Sequence, residues 1–251
     1  MPVDLSEEEQ IRYRRQLIMP EIGFPGQHRL KRATVMIAGL GGLGSVSALY
    51  MAAAGIGRLR IVDMDRVALH NLNRQILHTT DDIGKLKTDS ARQKLEALNP
   101  DCRIETLPTP IAGDTALEMV RGCDLILDGT DNLETRRILN RAARDAGIPF
   151  IFGGVEGLDG MVATFIPGLT ACLECIFAGK PNRTPDEIGV IGPTVGVIAS
   201  LQCLEAVKLL IGQELDRSGN LIHFHGADMR LKKAVVEPNP GCPVCSPRNG
   251  K

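Results

Sequence analysis

The sequence lacks any net field: across 251 residues, 29 Lys and Arg stand against 30 Asp and Glu, a formal charge of −1. That balance excludes a global positive potential for holding nucleic acid or an anionic membrane, so any phosphate chemistry has to come from a local cluster of cations. No uninterrupted apolar run approaches the roughly 20 residues that crossing a bilayer needs. The start, MPVDLSEEEQ, is acidic where a secretory signal would be basic and then apolar, and the expectation is a cytoplasmic protein. Tryptophan is absent and there are two tyrosines. Cysteine is present but odd in number, at seven. Four of these form two C-x-x-C pairs, while Cys102, Cys123 and Cys203 stand alone in apolar surroundings, which points to metal ligation in a reducing compartment and away from a disulfide framework. What remains is a 43% hydrophobic chain, enough to disfavour disorder and to fill one large domain or a domain with an appendage.

Along the chain, Leu5 to Ile18 sets apolar residues among charges and reads as a surface helix with Ser6 as N-cap. A turn-rich link follows through Pro20, Gly23, Pro25 and Gly26. From Ala33, short apolar runs alternate with helical periodicity: TVMIAG, a helix after Gly44, RLRIVD, a helix around Lys85–Leu98, CRIETL, a helix around Thr115–Val120, DLILD, a helix around Glu134–Ala146, and PFIFGG. This alternation predicts an α/β fold, a Rossmann-like and mostly parallel sheet with helices on both faces. After Gly154, GMVATFIP, LIHFHG and LKKAVVE read as strands with only one amphipathic helix among them, following Pro193, so an antiparallel extension is expected. Ala178 to Pro193 reads as a long loop of the functional or mobile kind.

Gly39-Leu40-Gly41-Gly42-Leu43-Gly44 satisfies G-x-G-x-x-G between the first strand and the first helix of that alternation, and Asp63 ends the next strand. Glycines permit the turn and a close backbone approach, the helix N-terminus offers N–H donors to phosphate, and Asp63 can hold ribose hydroxyls. The fingerprint alone does not separate a dinucleotide from ATP. Asp65, Asn71-Leu72-Asn73-Arg74-Gln75 and Lys87 follow, and two cations in a short stretch suit a triphosphate better than a pyrophosphate already satisfied by backbone N–H groups. Asp128-Gly129-Thr130-Asp131-Asn132 follows the DLIL strand at the carboxyl edge where open sheets bind ligands. There Asp131 can reach a phosphate-bound magnesium, and Asp or Asn at this point can equally cap the next helix. The rival is an NAD(P) oxidoreductase. Neither Tyr13 nor Tyr50 is followed four residues on by lysine, so the short-chain dehydrogenase pair is missing. A non-catalytic, zinc-stabilised nucleotide-binding protein is the other alternative.

Gly39–Gly44, Asp63, the Asn-Leu-Asn-Arg-Gln run, Gly84-x-x-Lys87 and the Asp-Gly-Thr-Asp-Asn run together resemble the MoeB/ThiF/HesA family, bacterial and archaeal relatives of the ubiquitin-activating enzymes. The resemblance runs from Ser6 to the terminal cysteine pair. It implies a single adenylation domain over 1–251, with a helical segment at 5–32, a nucleotide-binding half at 33–153 and a carrier- and zinc-binding half at 154–251. It implies adenylation, with magnesium ATP, of the C-terminal glycine of a small ubiquitin-like sulfur carrier ending in Gly-Gly, of the molybdopterin synthase small-subunit type or else the thiamin-pathway type. Gly39, Gly41, Gly42 and Gly44 would then hold phosphates, with Asp65, Asn71, Gln75 and Asn132 lining the same site. Asp63 would hold the ribose, Arg74 and Lys87 the triphosphate, and Asp131 the magnesium. Arg15 matches the family's arginine that reaches into a partner subunit's ATP site, which implies a homodimer with composite sites.

Cys172, Cys175, Cys242 and Cys245 have the spacing of a tetrahedral, four-thiolate zinc site, with a redox pair as the alternative. Many members of the family carry a crossover-loop cysteine that bonds covalently to the carrier, but here the stretch from Thr184 to Gly189 has none. With the other three cysteines reading as small core residues and no length left for a fused sulfurtransferase, the chain is expected to stop at the acyl adenylate. Sulfur donation is left to a separate sulfurtransferase, which places the chain nearer the MoeB branch than the ThiF branch.

Overall fold

A computed structural model of the chain describes residues 4–181, 188–213 and 220–246. Three helices open it: α1 (Glu7–Arg12), α2 (Arg14–Leu17) and α3 (Gly23–Arg32). Ser6 caps α1 in a reciprocal box, its Oγ accepting the Glu9 N–H at 3.1 Å while Glu9 Oε2 accepts the Ser6 N–H at 2.7 Å. The single helix expected from Leu5 to Ile18 is interrupted at Tyr13, whose backbone leaves helical angles (φ −95°, ψ 11°). Tertiary packing explains the break. The Tyr13 ring is 3% exposed, and its hydroxyl accepts a hydrogen bond from Asn99 Nδ2 at 2.8 Å. The turn-rich link is likewise partly helical, with Pro25 in the first turn of α3, where its missing N–H costs nothing.

The sheet elements follow as β1 (Thr34–Ala38), α4 (Gly42–Ala54), β2 (Arg58–Val62), α5 (Lys87–Leu98), β3 (Arg103–Leu107), α6 (Ala116–Val120), β4 (Leu125–Asp128), α7 (Leu133–Ala146), β5 (Phe150–Glu156), β6 (Asp159–Phe165), α8 (Leu173–Phe177), α9 (Gly192–Ile211), β7 (Leu221–His225) and β8 (Arg230–Ala234). They form one eight-stranded sheet in the order β3-β2-β1-β4-β5-β6-β7-β8. Pairing is parallel from β3 through β5 and antiparallel from β5 through β8, as the run-and-period reading anticipates. Helix α8, a single turn beginning inside the first cysteine pair, is too short to leave a periodic signal.

Alternate strand residues feed two cores. Val35 and Ile37 join Leu127, Ile151 and the apolar face of α4 and α9, whereas Met36 and Ala38 join Ile126, Phe150, Phe152 and the inner face of α6 and α7. Gln202, Glu205 and Lys208 interrupt the apolar run of α9, yet by length and mean composition this helix is long and apolar enough to cross a bilayer. Its residues Val195, Ile198, Ala199 and Ala206 are buried in the first core. Gln202 is fully buried there, its Nε2 donating to the carbonyls of Asp128 at 2.9 Å and Ile151 at 3.1 Å. The strand order reverses between β1 and β4, which opens a crevice at their carboxyl ends where ligands bind in open sheets of this kind.

Asn99 is fully buried and bridges the N-terminal helices to α4, donating to the Tyr13 hydroxyl and to the Ala52 carbonyl at 2.7 Å. Asn99→Ala is expected to destabilise the fold by about 1–3 kcal/mol in urea titration, the cost of leaving buried polar partners unmet. An unchanged midpoint would show that this bridge does not hold the N-terminal segment.

Candidate active site

The crevice begins where β1 ends. Gly39 has φ +90°, and a Cβ there would lie 2.8 Å from the Gly129 carbonyl oxygen, so any side chain would meet both backbone strain and the end of β4. A Cβ on Gly44, in the first turn of α4, would lie 1.8 Å from the Gly39 oxygen. Gly44 therefore seats helix on strand and does not line the cavity. Gly41, the N-cap of α4, is less crowded, and the nearest atom to a notional Cβ there, Gly129 O, is 3.7 Å away. That leaves the loop backbone open to a ligand.

Around this loop lies a cavity of about 330 Å³, lined among others by Gly39, Gly41, Gly42, Asp63, Asp65, Arg74, Gln75, Lys87, Asp131 and Asn132. Asp63, just past β2, accepts the Leu40 N–H at 2.7 Å and the Asp65 N–H at 2.8 Å. Burial pushes its carboxyl above the usual range, against the opposing pull of Lys87 and of those N–H groups. Lys87 opens α5 with its side chain 7% exposed, its Nζ 2.8 Å from Asp65 and 3.7 Å from Asp63. Its charge thus stands beside the acidic end of the cavity. Arg74 Nη1 donates to the His70 carbonyl and Asn73 Oδ1, both at 3.0 Å. Gln75 is 4% exposed, and its Oε1 meets no donor among the described residues. Asn71 stands apart from the cavity. Its Oδ1 accepts the Ala68 N–H at 3.0 Å and closes the short turn that delivers Arg74 and Gln75.

Across the crevice, Asn132 caps α7, its Oδ1 accepting the Thr135 N–H at 2.9 Å, while the neighbouring Asp131 presents an exposed carboxylate to the cavity. The capping and cavity-facing roles thus fall on adjacent residues. Sequence reasoning missed Arg136. Its Nε donates to the wholly buried Asp128 carboxylate at 2.9 Å, and its Nη2 donates to the carbonyls of Thr130 at 2.7 Å and Gly153 at 2.9 Å. Its guanidinium also lies 4.8 Å from the centre of the Phe152 ring. Asp128 in turn accepts from Thr130 N and Oγ1, so the Arg136–Asp128 pair locks the turn that carries Asp131. A signal was available, since a cation in the first turn of a helix opposes the macrodipole and therefore needs a partner. Arg15 sits exposed on α2, outside the cavity. Ile188 and Val190 close the far wall as the chain returns from residues 182–187, with the Gly157 N–H donating to the Gly189 carbonyl at 2.7 Å. Of the cysteine-free crossover stretch, residues 184–187 lie outside the described residues.

The four paired cysteines converge, with all their sulfurs within 4.8 Å of one another, Cys172 and Cys242 at 3.6 Å and Cys175 and Cys245 at 3.3 Å. A tetrahedron of thiolates bound at about 2.3 Å has edges of about 3.8 Å, so the cluster fits a four-cysteine metal site, zinc foremost. Backbone N–H groups aimed at sulfur strengthen the fit: Val244 and Cys245 donate to Cys242 Sγ at 3.4 and 3.5 Å, and Asn239 donates to Cys175 Sγ at 3.4 Å. The remaining three thiols are buried, and burial pushes those of Cys102 and Cys203 up to about 12. Cys172→Ser or Cys245→Ser is therefore expected to lower bound metal and thermal stability together, read by elemental analysis and thermal melting. Cys102→Ala and Cys203→Ala should keep full metal content, and equal metal loss in both sets would remove the cluster assignment.

The family model described as the ThiF family matches residues 13–244. A sulfur carrier protein adenylyltransferase of Thermus thermophilus is 41% identical over 249 residues, covering 96% of this chain and 92% of that protein. The sulfur carrier protein ThiS adenylyltransferase of Escherichia coli is 38% identical over 248 residues, covering 98% of each. Among solved structures, E. coli MccB with succinimide superposes with a TM-score of 0.82 at 24% identity, over 97% of this chain and 75% of that one, a likeness of fold. With the glycine loop, the paired acidic turns and the cysteine cluster at or inside the matched span, the chain belongs to the ThiF family of adenylyltransferases.

Proposed function

We propose that this chain uses magnesium ATP to adenylate the C-terminal glycine of a small ubiquitin-like sulfur carrier ending in Gly-Gly. The observation that carries the reading is that one cavity brings the glycine loop, Arg74, Lys87 and Asp131 together from separate stretches of sequence. A C-terminal carboxylate, with a pKa of about 3.3–3.7, is ionised at neutral pH, so its oxygen can attack the α-phosphorus without a general base. The new bond joins carboxylate oxygen to phosphorus, the bond to the β-phosphate bridge breaks, and pyrophosphate leaves. What the protein contributes is positioning and charge neutralisation.

Charge counting supports a metal partner for the nucleotide. Three carboxylates of the lining, Asp63, Asp65 and Asp131, face two cations, Arg74 and Lys87, while Arg136 is balanced by Asp128. This leaves a net −1 against an incoming polyanion. A divalent cation held by the exposed Asp131 and the phosphates corrects the balance, and magnesium supplies charge neutralisation when bound. Asp63 holds the ribose hydroxyls, and Arg74 and Lys87 receive the phosphates. The carrier reading is of the molybdopterin synthase small-subunit type, with the thiamin-pathway carrier as the alternative. The three inert, buried cysteines support a cytoplasmic enzyme that stops at the acyl adenylate and passes the carrier to a separate sulfurtransferase.

In pyrophosphate exchange with magnesium ATP and a Gly-Gly-ended carrier of each type, the purified protein is expected to incorporate label into ATP, and the preferred carrier names the pathway. Arg74→Ala and Asp131→Ala should each reduce exchange by about 10²–10³-fold, the cost of one contact to developing charge. Undiminished exchange in both variants would remove their assignment.

Arg15, exposed and outside the cavity of its own chain, serves the site of a second copy in a homodimer. Mixing inactive Arg15→Ala and Arg74→Ala subunits should restore activity in heterodimers, each with one intact composite site. No recovery despite demonstrated subunit exchange would place Arg15 outside the reaction.

A further inference from the structure

Beneath the glycine loop lies a buried polar chain that the adenylation reading leaves unused. His78 is 5% exposed, its Nδ1 2.9 Å from Ser90 Oγ and its Nε2 3.3 Å from the Leu40 carbonyl oxygen. Lys94, which has only donors, reaches Ser90 Oγ at 2.8 Å and makes a close ion pair with Asp82. Asp82 is itself pinned by the N–H and hydroxyl of Thr79, at 2.8 and 2.9 Å.

The direction of every proton in this chain follows. The Leu40 carbonyl can only accept, so His78 Nε2 carries the proton, and Ser90 Oγ, which accepts from Lys94, gives its own hydroxyl proton to the bare Nδ1. An imidazole that accepts at Nδ1 and is neutral carries its proton on Nε2, which faces the Leu40 carbonyl. Burial, the largest influence on this ring, holds its pKa down to about 4, so the neutral form persists at physiological pH.

We propose that His78 is a positioning residue for the nucleotide site, its Nε2–H setting the orientation of the Leu40–Gly41 peptide. This rests on the ATP-site reading above. A trans peptide points its C=O and N–H to opposite sides, so a Leu40 oxygen tied inward to His78 turns the Gly41 N–H outward to the cavity that Gly41 lines. Glycine at position 41 gives this peptide an easy route to flip, which makes a tie necessary. The Ser45 hydroxyl also donates to the Leu40 oxygen, at 3.2 Å, but Ser45 belongs to the same loop–helix unit, whereas His78 and Ser90 come from outside it. The Leu40 N–H is held by Asp63, so the peptide units on both sides of Leu40 are fixed. Ser90 stands one turn beyond Lys87 on α5, so the same chain sets the loop and the Lys87 ammonium in register, two parts of one phosphate site.

The test measures magnesium ATP binding by calorimetry in the full chain, alongside carrier KM and imidazole 15N resonances. His78→Leu is expected to weaken ATP binding by about fivefold to tenfold, the scale of one buried hydrogen bond, and to leave carrier KM unchanged. His78→Gln, whose amide can donate to Leu40, should recover most of the affinity, and wild-type His78 should show a protonated Nε2 with a bare Nδ1. ATP bound within about twofold of wild type by folded His78→Leu would overturn the inference while leaving the ATP site standing. A protonated Nδ1 would do the same, and that measurement needs no variant that might fail to fold. If the wild type itself bound no ATP, the nucleotide-site reading would fall first and the inference with it.

Discussion

The site depends on a backbone contact that only glycine permits. At the point where the strand order reverses, Gly39 passes so close to Gly129 that a Cβ on Gly129 would sit 2.6 Å from the Gly39 oxygen, and α4 starts directly over the same oxygen at Gly44. Because β1 and β4 end in this contact, the two acidic turns that follow β2 and β4 open on one crevice, and the N-terminus of α4 points into it. Cationic side chains, capping residues and the crossover wall are arranged around a spacing that the three glycines set. A side chain at any of them would separate the strand ends before it disturbed a ligand contact.

Around that contact the polar groups divide the work. Asp63 holds the loop by accepting from Leu40, Asp128 holds the opposite turn by pairing with Arg136, and Gln202 ties α9 to the strand ends beneath. These groups are tied down by bonds within the protein and so keep the exposed Asp131 and the half-buried Arg74 at fixed separation. Preorganisation of this kind matters most for a reaction whose nucleophile needs no activation, since positioning and charge are then the means by which the protein lowers the barrier. The cysteine cluster does comparable work at the far end of the chain, clamping residues 242–245 onto the start of α8.

Much of this was legible from residues alone, and the reasons are local. Strands buried on both faces leave continuous apolar runs, and β1, with all five residues buried, is the clearest instance. The Ser6 cap, the glycine fingerprint and the C-x-x-C pairs are short-range patterns whose chemistry holds wherever they fall. The failures share a cause as well. Tyr13 breaks a helix that periodicity would continue, because its ring is buried against elements remote in sequence, with Asn99 as its hydrogen-bond partner. Asn71 looked like a ligand-facing amide, yet its side chain closes a turn. A turn-closing amide and a ligand-facing one carry the same letter.

The sequence by itself determined the parallel-then-antiparallel sheet, the glycine-rich loop, the family and the two cysteine pairs that converge, because each is written in spacing or period along the chain. Tertiary structure alone decided which polar residues face the cavity and which hold it in shape. It buried Asp128 with Arg136, left Asp131 exposed, set Lys87 against Asp63 and Asp65, and placed His78 under Leu40. Those partners lie 8 to 38 residues apart in sequence and meet only when the strands pair. The direction and burial of a side chain depend on what packs against it, and the order of residues along the chain does not record that.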